Sequence, residues 1–189
     1  MNYTRLLDLK ALLQKNSFFL FGPRGTGKSY WIKQSLPQAQ VFNLLDDDTY
    51  EQLMRRPKFL SEQVLDFKKL IVINEIQKLP SLLDEVHRLI EEYRARFLLT
   101  GSSARKLRRG GANLLAGRAW EANLFPLTYA ELSAQRDFNL IKYLNIGGLP
   151  RVYMSSDPKE ELKAYIKVYL TEEIKAEALV RSYERFVRF

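Results

Sequence analysis

The chain has 189 residues, of which 46% are hydrophobic and 12% aromatic, enough for a core of ordinary size and too much for a disordered chain. Its 30 lysines and arginines outnumber 22 aspartates and glutamates, and the resulting charge of +8 favours anionic partners such as nucleotides, nucleic acid or acidic protein surfaces. With no cysteine and one histidine, His87, the chain lacks the means for disulfides, thiolate metal sites, a zinc site or a cysteine nucleophile.

Leu6, Leu7, Leu9, Leu12 and Leu13 recur at helical spacing over residues 3–15, and the apolar run Ser17 to Phe21 then reads as a buried strand. A glycine-rich turn follows, and residues 28–36 continue as a helix with no breaker until Pro37. Val41 to Leu45 forms a second expected strand. From Asp46 to Phe67 the chain is polar and helical in character, interrupted at Pro57, and it leads into a third strand, Leu70 to Ile73. Leu82, Leu83, Val86, Leu89, Ile90 and Tyr93 mark one face of a helix starting near Pro80, with a fourth strand over Arg96 to Thr100.

A basic, glycine-containing segment (Arg105, Lys106, Arg108, Arg109, Gly110, Gly111) precedes a fifth expected strand, Arg118 to Leu127, and helical signals dominate thereafter. The clearest late helix spans 156–178, with Asp157 as cap and Pro158 at its first position. Val180, Tyr183, Phe186, Val187 and Phe189 begin a further apolar pattern that has no closing cap, so the sequence reads as part of a longer protein. Strands alternating with helices, then helices alone, predict an α/β fold: a parallel five-stranded sheet between helical layers, with a small helical region appended. No run approaches the roughly 18 apolar residues of a membrane span and no secretory leader opens the chain, so a cytoplasmic location without membrane contact is expected.

The turn after the first strand carries the chemistry. Gly22-Pro23-Arg24-Gly25-Thr26-Gly27-Lys28-Ser29 satisfies the full pattern of a phosphate-binding loop, lying between a strand and a helix as that motif demands. Glycines allow the backbone to turn its N–H groups inward as an anion nest, and the helix behind aims its positive end at the same phosphates. Lys28 is expected to reach the β- and γ-phosphates of a nucleoside triphosphate, and Ser29 to place a hydroxyl on Mg²⁺. ATP is preferred over GTP because no N-K-x-D-like guanine reader is present. Such an enzyme also requires an acid at the end of a neighbouring strand. Asn74 and Glu75 stand there, after Leu70 to Ile73. Asn74 offers a neutral amide oxygen to a metal-bound water, whereas Glu75 can orient or deprotonate an attacking water. Asp46, Asp47 and Asp48 either add charge to this region or cap the next helix.

Five segments in order carry a family resemblance: the loop 22–29, Ile73 to Pro80, Leu99 to Ser103, Leu115 to Arg118 and Pro126 to Thr128. Together they resemble the prokaryotic AAA+ superfamily ATPases described simply as predicted ATPases. The resemblance implies an AAA+ P-loop core over 1–135, a helical region over 136–189, and a separate C-terminal domain beyond, often likened to a nuclease fold. It also implies the site residues. Gly22, Pro23, Arg24, Gly25, Thr26, Gly27, Lys28, Ser29 and the adjoining Tyr30 would bind ATP or ADP. Asn74 and Glu75 would occupy the Walker B pair, Thr100 the sensor 1 region, and Pro150 the Gly-Pro element near the nucleotide. Ser29 and Asn74 would serve the metal, and Lys28, Glu75 and Arg118 catalysis.

Asn74 departs from the family pattern, which has aspartate there. Two readings therefore stand: a Mg²⁺-dependent ATPase, or a nucleotide-binding switch with weak or no hydrolysis. Arg118 is either an arginine acting on the γ-phosphate, in cis or from a neighbouring subunit, or an ordinary edge-strand residue. The 105–111 segment is a solvated loop, a contact to a second subunit, or a non-specific nucleic-acid contact.

Overall fold

The computed structural model describes residues 3–104, 107 and 115–167. It divides into two compact units, Leu7–Pro23 with Gly27–Leu124, and Met1–Leu6 with Arg24–Thr26 and Phe125–Phe189. The basic segment, residues 105, 106 and 108–114, and everything from Val168 to Phe189 lie outside the described residues.

The larger unit is built on five strands: β1 (Ser17–Phe21), β2 (Gln40–Asn43), β3 (Leu70–Asn74), β4 (Arg96–Gly101) and β5 (Ala119–Asn123). They form one parallel sheet in the order β2-β3-β4-β1-β5. The expected five-stranded parallel α/β architecture is found. Its helices are α1 (Leu9–Leu13), α2 (Lys28–Ser35), α3 (Asp47–Arg55), α4 (Phe59–Gln63) and α5 (Leu82–Tyr93).

Alternation along the strands explains the layers. Successive side chains point to opposite faces, so a central strand buried on both sides must be apolar throughout. Phe19, Phe21, Ile71, Ile73, Phe97 and Leu99 face one core, together with Leu53 of α3, Leu60 of α4, and Leu82, Val86 and Leu89 of α5. Phe18, Leu20, Val72 and Leu98 face the other, closed by Leu9 and Leu13 of α1 and Ile32 of α2. Each fully buried side chain of this size contributes about 1.5–3 kcal/mol from removal of apolar surface from water.

The smaller unit contains α6 (Tyr129–Ser133), α7 (Leu140–Ile146), α8 (Pro150–Met154) and α9 (Pro158–Tyr165). Leu127, Leu132 and Tyr153 form its core, with Tyr3, Phe138, Tyr143 and Ile146 packed against them. A capping box starts α6: Thr128 Oγ1 accepts from the Glu131 N–H at 3.3 Å, and Glu131 Oε2 accepts from the Thr128 N–H at 2.9 Å. Glu131 also accepts from the Leu6 N–H at 2.9 Å and pairs with Arg5 Nε at 3.3 Å, the two side chains being 4% and 6% exposed. Breaking such a buried pair leaves a charge without a partner. Glu131→Ala is therefore expected to destabilise this unit by about 3–5 kcal/mol in chemical denaturation, and a loss below 1 kcal/mol would show the pair to be solvated.

That same anchor corrects the expected helix at 3–15. Only Leu9–Leu13 is helical, capped by Asp8 through the Ala11 N–H at 3.0 Å. Arg5 and Leu6 are committed to Glu131, and long-range polar partners outweigh the local leucine spacing. The fifth strand is likewise shorter than expected. Leu124 N–H still bonds Phe21 O at 2.7 Å, but Leu127 N–H bonds Gly148 O at 2.7 Å, and Pro126 between them has no N–H for a ladder. The late helix begins as expected, with Asp157 accepting from the Glu160 N–H at 3.2 Å. Among the described residues, no helix is long and apolar enough to cross a membrane.

Candidate functional site

The candidate site begins where β1 ends. Gly22 passes so close to the chain leaving β5 that a Cβ there would lie 2.2 Å from Leu124 O, which makes glycine obligatory. Gly25 and Gly27 have φ of 80° and 88°, the left-handed region that side chains avoid, and Gly27 is the N-cap of α2. Lys28 is buried, and its ammonium donates to Gly22 O at 2.5 Å and Pro23 O at 3.1 Å, so the loop curls around its own cation. Thr26 is buried, while Ser29 and Tyr30 are exposed on the first turn of α2. The first N–H groups of an eight-residue helix have no partner within the helix, and its dipole adds to their pull on an anion.

Across the sheet, β1 lies beside β4 and β4 beside β3, so the ends of β1 and β3 are two strand spacings apart, roughly 10 Å. The end of β3 carries a row of linked side chains. Asn74 Nδ2 donates to Asn43 Oδ1 on β2 at 2.9 Å, and Thr100 Oγ1 on β4 donates to Asn74 Oδ1 at 2.6 Å. The same Thr100 oxygen accepts from the Glu75 N–H at 3.3 Å. Thr100 is fully buried and Asn74 nearly so. Glu75 itself adopts the left-handed region, φ 61° and ψ 44°, at a cost of order 1–3 kcal/mol for a residue with a side chain. Its carboxylate accepts from Gln77 Nε2, within the single turn Ile76–Lys78 that follows.

Of the acids at 46–48, Asp46 caps α3: its carboxylate accepts from the Thr49 N–H at 2.9 Å and hydroxyl at 2.7 Å, which holds its carboxyl below the usual range. Asp47 and Asp48 occupy the first turn of α3. These three acids thus serve the helix start.

Arg118 does not join the loop within this chain. It directly precedes Ala119, which pairs with Ser17, so it stands at the opposite end of the sheet from Gly22, about 20 Å along the strand. There its guanidinium pairs with Glu91 of α5, which keeps the Glu91 carboxyl below its ordinary range. Pro150 is the first residue of α8, in the smaller unit, where the preceding Gly148 lies against Leu127; a Cβ there would be 1.9 Å from Leu127 O. Within that unit a Cβ on Gly25 would lie 3.5 Å from Tyr165 and 3.7 Å from Leu149. Leu149, Tyr165, Asn43 and Gln77 were not singled out by sequence reasoning. Asn43, Leu149 and Tyr165 are placed by contacts between segments distant in the chain, whereas Gln77 lies within the Ile73 to Pro80 segment and its contact to Glu75 is local, so that segment was the available signal for it.

The profile of the AAA domain family matches residues 14–133, more than half of the chain. The chain belongs to this AAA domain family. As such it is an ATP-binding AAA+ domain with a P-loop. Among solved structures, the AAA domain is similar to the Walker-type ATPase paby2304 of Pyrococcus abyssi, at 15% identity and a TM-score of 0.56, covering 95% of this chain and 75% of that one. It is also similar to AMPPCP-bound DnaA from Aquifex aeolicus, at 16% identity and a TM-score of 0.45, covering 95% of this chain and 63% of that one. No curated protein sequence matches.

Proposed function

We propose that this AAA domain hydrolyses ATP with magnesium and couples turnover to movement of a helical region over 136–189 or of a further domain. The observation that carries this reading is the left-handed Glu75 at the end of β3, two strands from Lys28 and anchored through Thr100. In this reading Gly22 to Tyr30 bind the nucleotide, Lys28 neutralises the β- and γ-phosphates, and Glu75 accepts the proton of the attacking water. Pro150 belongs to the same proposed set of nucleotide-binding residues.

The donor set fits magnesium only in part. Ser29 supplies one exposed hydroxyl, and Mg²⁺ bound with phosphate oxygens and waters needs few protein ligands. When bound, the ion would neutralise charge developing on the phosphates. Asn74 brings no charge, and its amide already links Asn43 and Thr100. Among the described residues, no group of three acids or histidines could replace it.

That row favours a second reading, a switch that binds nucleotide and hydrolyses it slowly. Calorimetry with ATP and ADP, with and without Mg²⁺, beside a phosphate-release assay, separates the two. Asn74→Asp is expected to raise Mg²⁺-dependent turnover by about 10-fold on the hydrolytic reading, the gain of one charge-assisted contact. Tight binding with negligible turnover in both proteins favours the switch, and absence of nucleotide binding by the unaltered protein defeats both.

The net charge of +8 supports nucleic acid as a further partner, to be tested by the salt dependence of DNA binding. Arg118 and the 105–111 segment are proposed as contacts to a second copy of the chain, in which Arg118 would act in trans; the 105–111 contact concerns residues that, apart from Leu107, lie outside those described. A cytoplasmic location is part of the same proposal.

A further inference from the structure

Gln77 is left unexplained by the nucleotide site as described. Its Nε2 donates to the Glu75 carboxylate, while its carbonyl Oε1 is buried without a hydrogen-bond partner. A buried carbonyl left unpaired costs about 1–3 kcal/mol, so a side chain chosen only for packing would not be an amide here. The amide lies over Gly101 at the end of β4, where a Cβ would approach Gln77 Oε1 to 2.5 Å and Cδ to 3.4 Å. Gly101 is paired with Phe21, the residue that leads into the phosphate loop. Gly101 has an ordinary strand backbone, with no positive φ to demand glycine. The contact that a larger residue would meet first is the Gln77 amide.

We infer that Gln77 is a positioning residue for Glu75: it holds the carboxylate at the end of β3, and Gly101 is the recess that admits its amide. The inference rests on the hydrolytic reading above. Two restraints then act on Glu75 from either side, Thr100 on its N–H and Gln77 on its carboxylate. With both in place the carboxylate cannot rotate freely about its side-chain bonds, and its free oxygen is directed by the amide. The single turn Ile76–Lys78 makes this possible, because it folds residue 77 back over residue 75. Gln77 touches no reacting atom in this arrangement.

The test uses Gln77→Met, which keeps the length and loses the donor, and Gln77→Glu, which keeps the shape and opposes a like charge to Glu75. Both are expected to lower kcat by about 10- to 100-fold, the loss of a hydrogen bond to a charged group, with KM for ATP unchanged. Gln77→Glu should be the more damaging although it is the closer isostere, an order that a packing role would reverse. A separate pair of measurements does not depend on turnover. Gly101→Ala should lower the thermal midpoint of the unaltered protein, and should lower it clearly less in a Gln77→Ala background, because the amide it strikes is gone. Equal shifts in both backgrounds, or a change in KM without kcat, overturn the inference. If the unaltered protein binds ATP yet does not turn it over, the hydrolytic reading fails and takes the catalytic role of Gln77 with it. The Gly101 cycle then reports independently whether the clamp exists.

Discussion

Glu75→Gln is expected to reduce ATP turnover by about 10²–10⁴-fold, the range typical for loss of a general base, while nucleotide affinity stays within about threefold. The two outcomes separate because Glu75 lies at the end of β3 and the phosphate loop at the end of β1, with β4 between them. Glutamine preserves the size of the side chain and can still pair with the amide of Gln77, so the fold has no reason to change. It cannot accept a proton from water. Steady-state phosphate release at saturating ATP, beside calorimetric titration with ATP, measures both quantities. Turnover that survives the substitution would move the base elsewhere, and no other acid in the described residues stands at a strand end beside Thr100.

Lys28→Ala is expected to weaken ATP binding by about 100-fold or more, roughly 2.7 kcal/mol, on the scale of hydrogen bonds between charged partners. The buried ammonium is held by Gly22 O and Pro23 O, so phosphate binding exchanges carbonyl partners for charged oxygens rather than creating contacts from nothing. The gain is a difference, and it is large because a phosphate carries charge that a carbonyl does not. ADP should lose less than ATP, since it has no γ-phosphate to contact. Calorimetry comparing both nucleotides in the two proteins reads this directly. Equal affinity in the substituted protein would mean that the nucleotide phosphates sit outside the loop.

The loop was legible because everything that makes it is contiguous: residues 22–29 carry the glycines, the lysine and the hydroxyl in one run. The strands were legible for a related reason, since burial on two faces forces unbroken apolar runs such as Ile71 to Ile73. Their order was not. That β4 lies between β1 and β3 is set by crossovers and packing, and only this order brings Thr100 beside Asn74 and Glu75. The link from Asn43 to Asn74 joins residues 31 positions apart, and no local pattern announces it. The leucine spacing at 3–15 was a true periodicity overruled by Glu131, a residue more than a hundred positions away. Arg118 shows the same limit: its residue type fitted a role beside the phosphates, but the parallel register sends it to the other end of the sheet.

The two cores on either face of the sheet have a bearing on which insertions the protein can survive. In β3, Ile71 and Ile73 belong to one core and Val72 to the other. Adding or deleting one residue upstream within that strand would exchange the two sets, driving side chains fitted to one helical layer into the opposite one. It would also displace Glu75 by about 3.3 Å relative to Thr100, more than a hydrogen bond tolerates. Two independent penalties thus fall on the same event, one spread over the interior and one concentrated at a single carboxylate. Changes of length are therefore confined to the connections, such as the polar stretch between α4 and β3, and the strands act as a ruler that carries the chemistry to a fixed height above the helices.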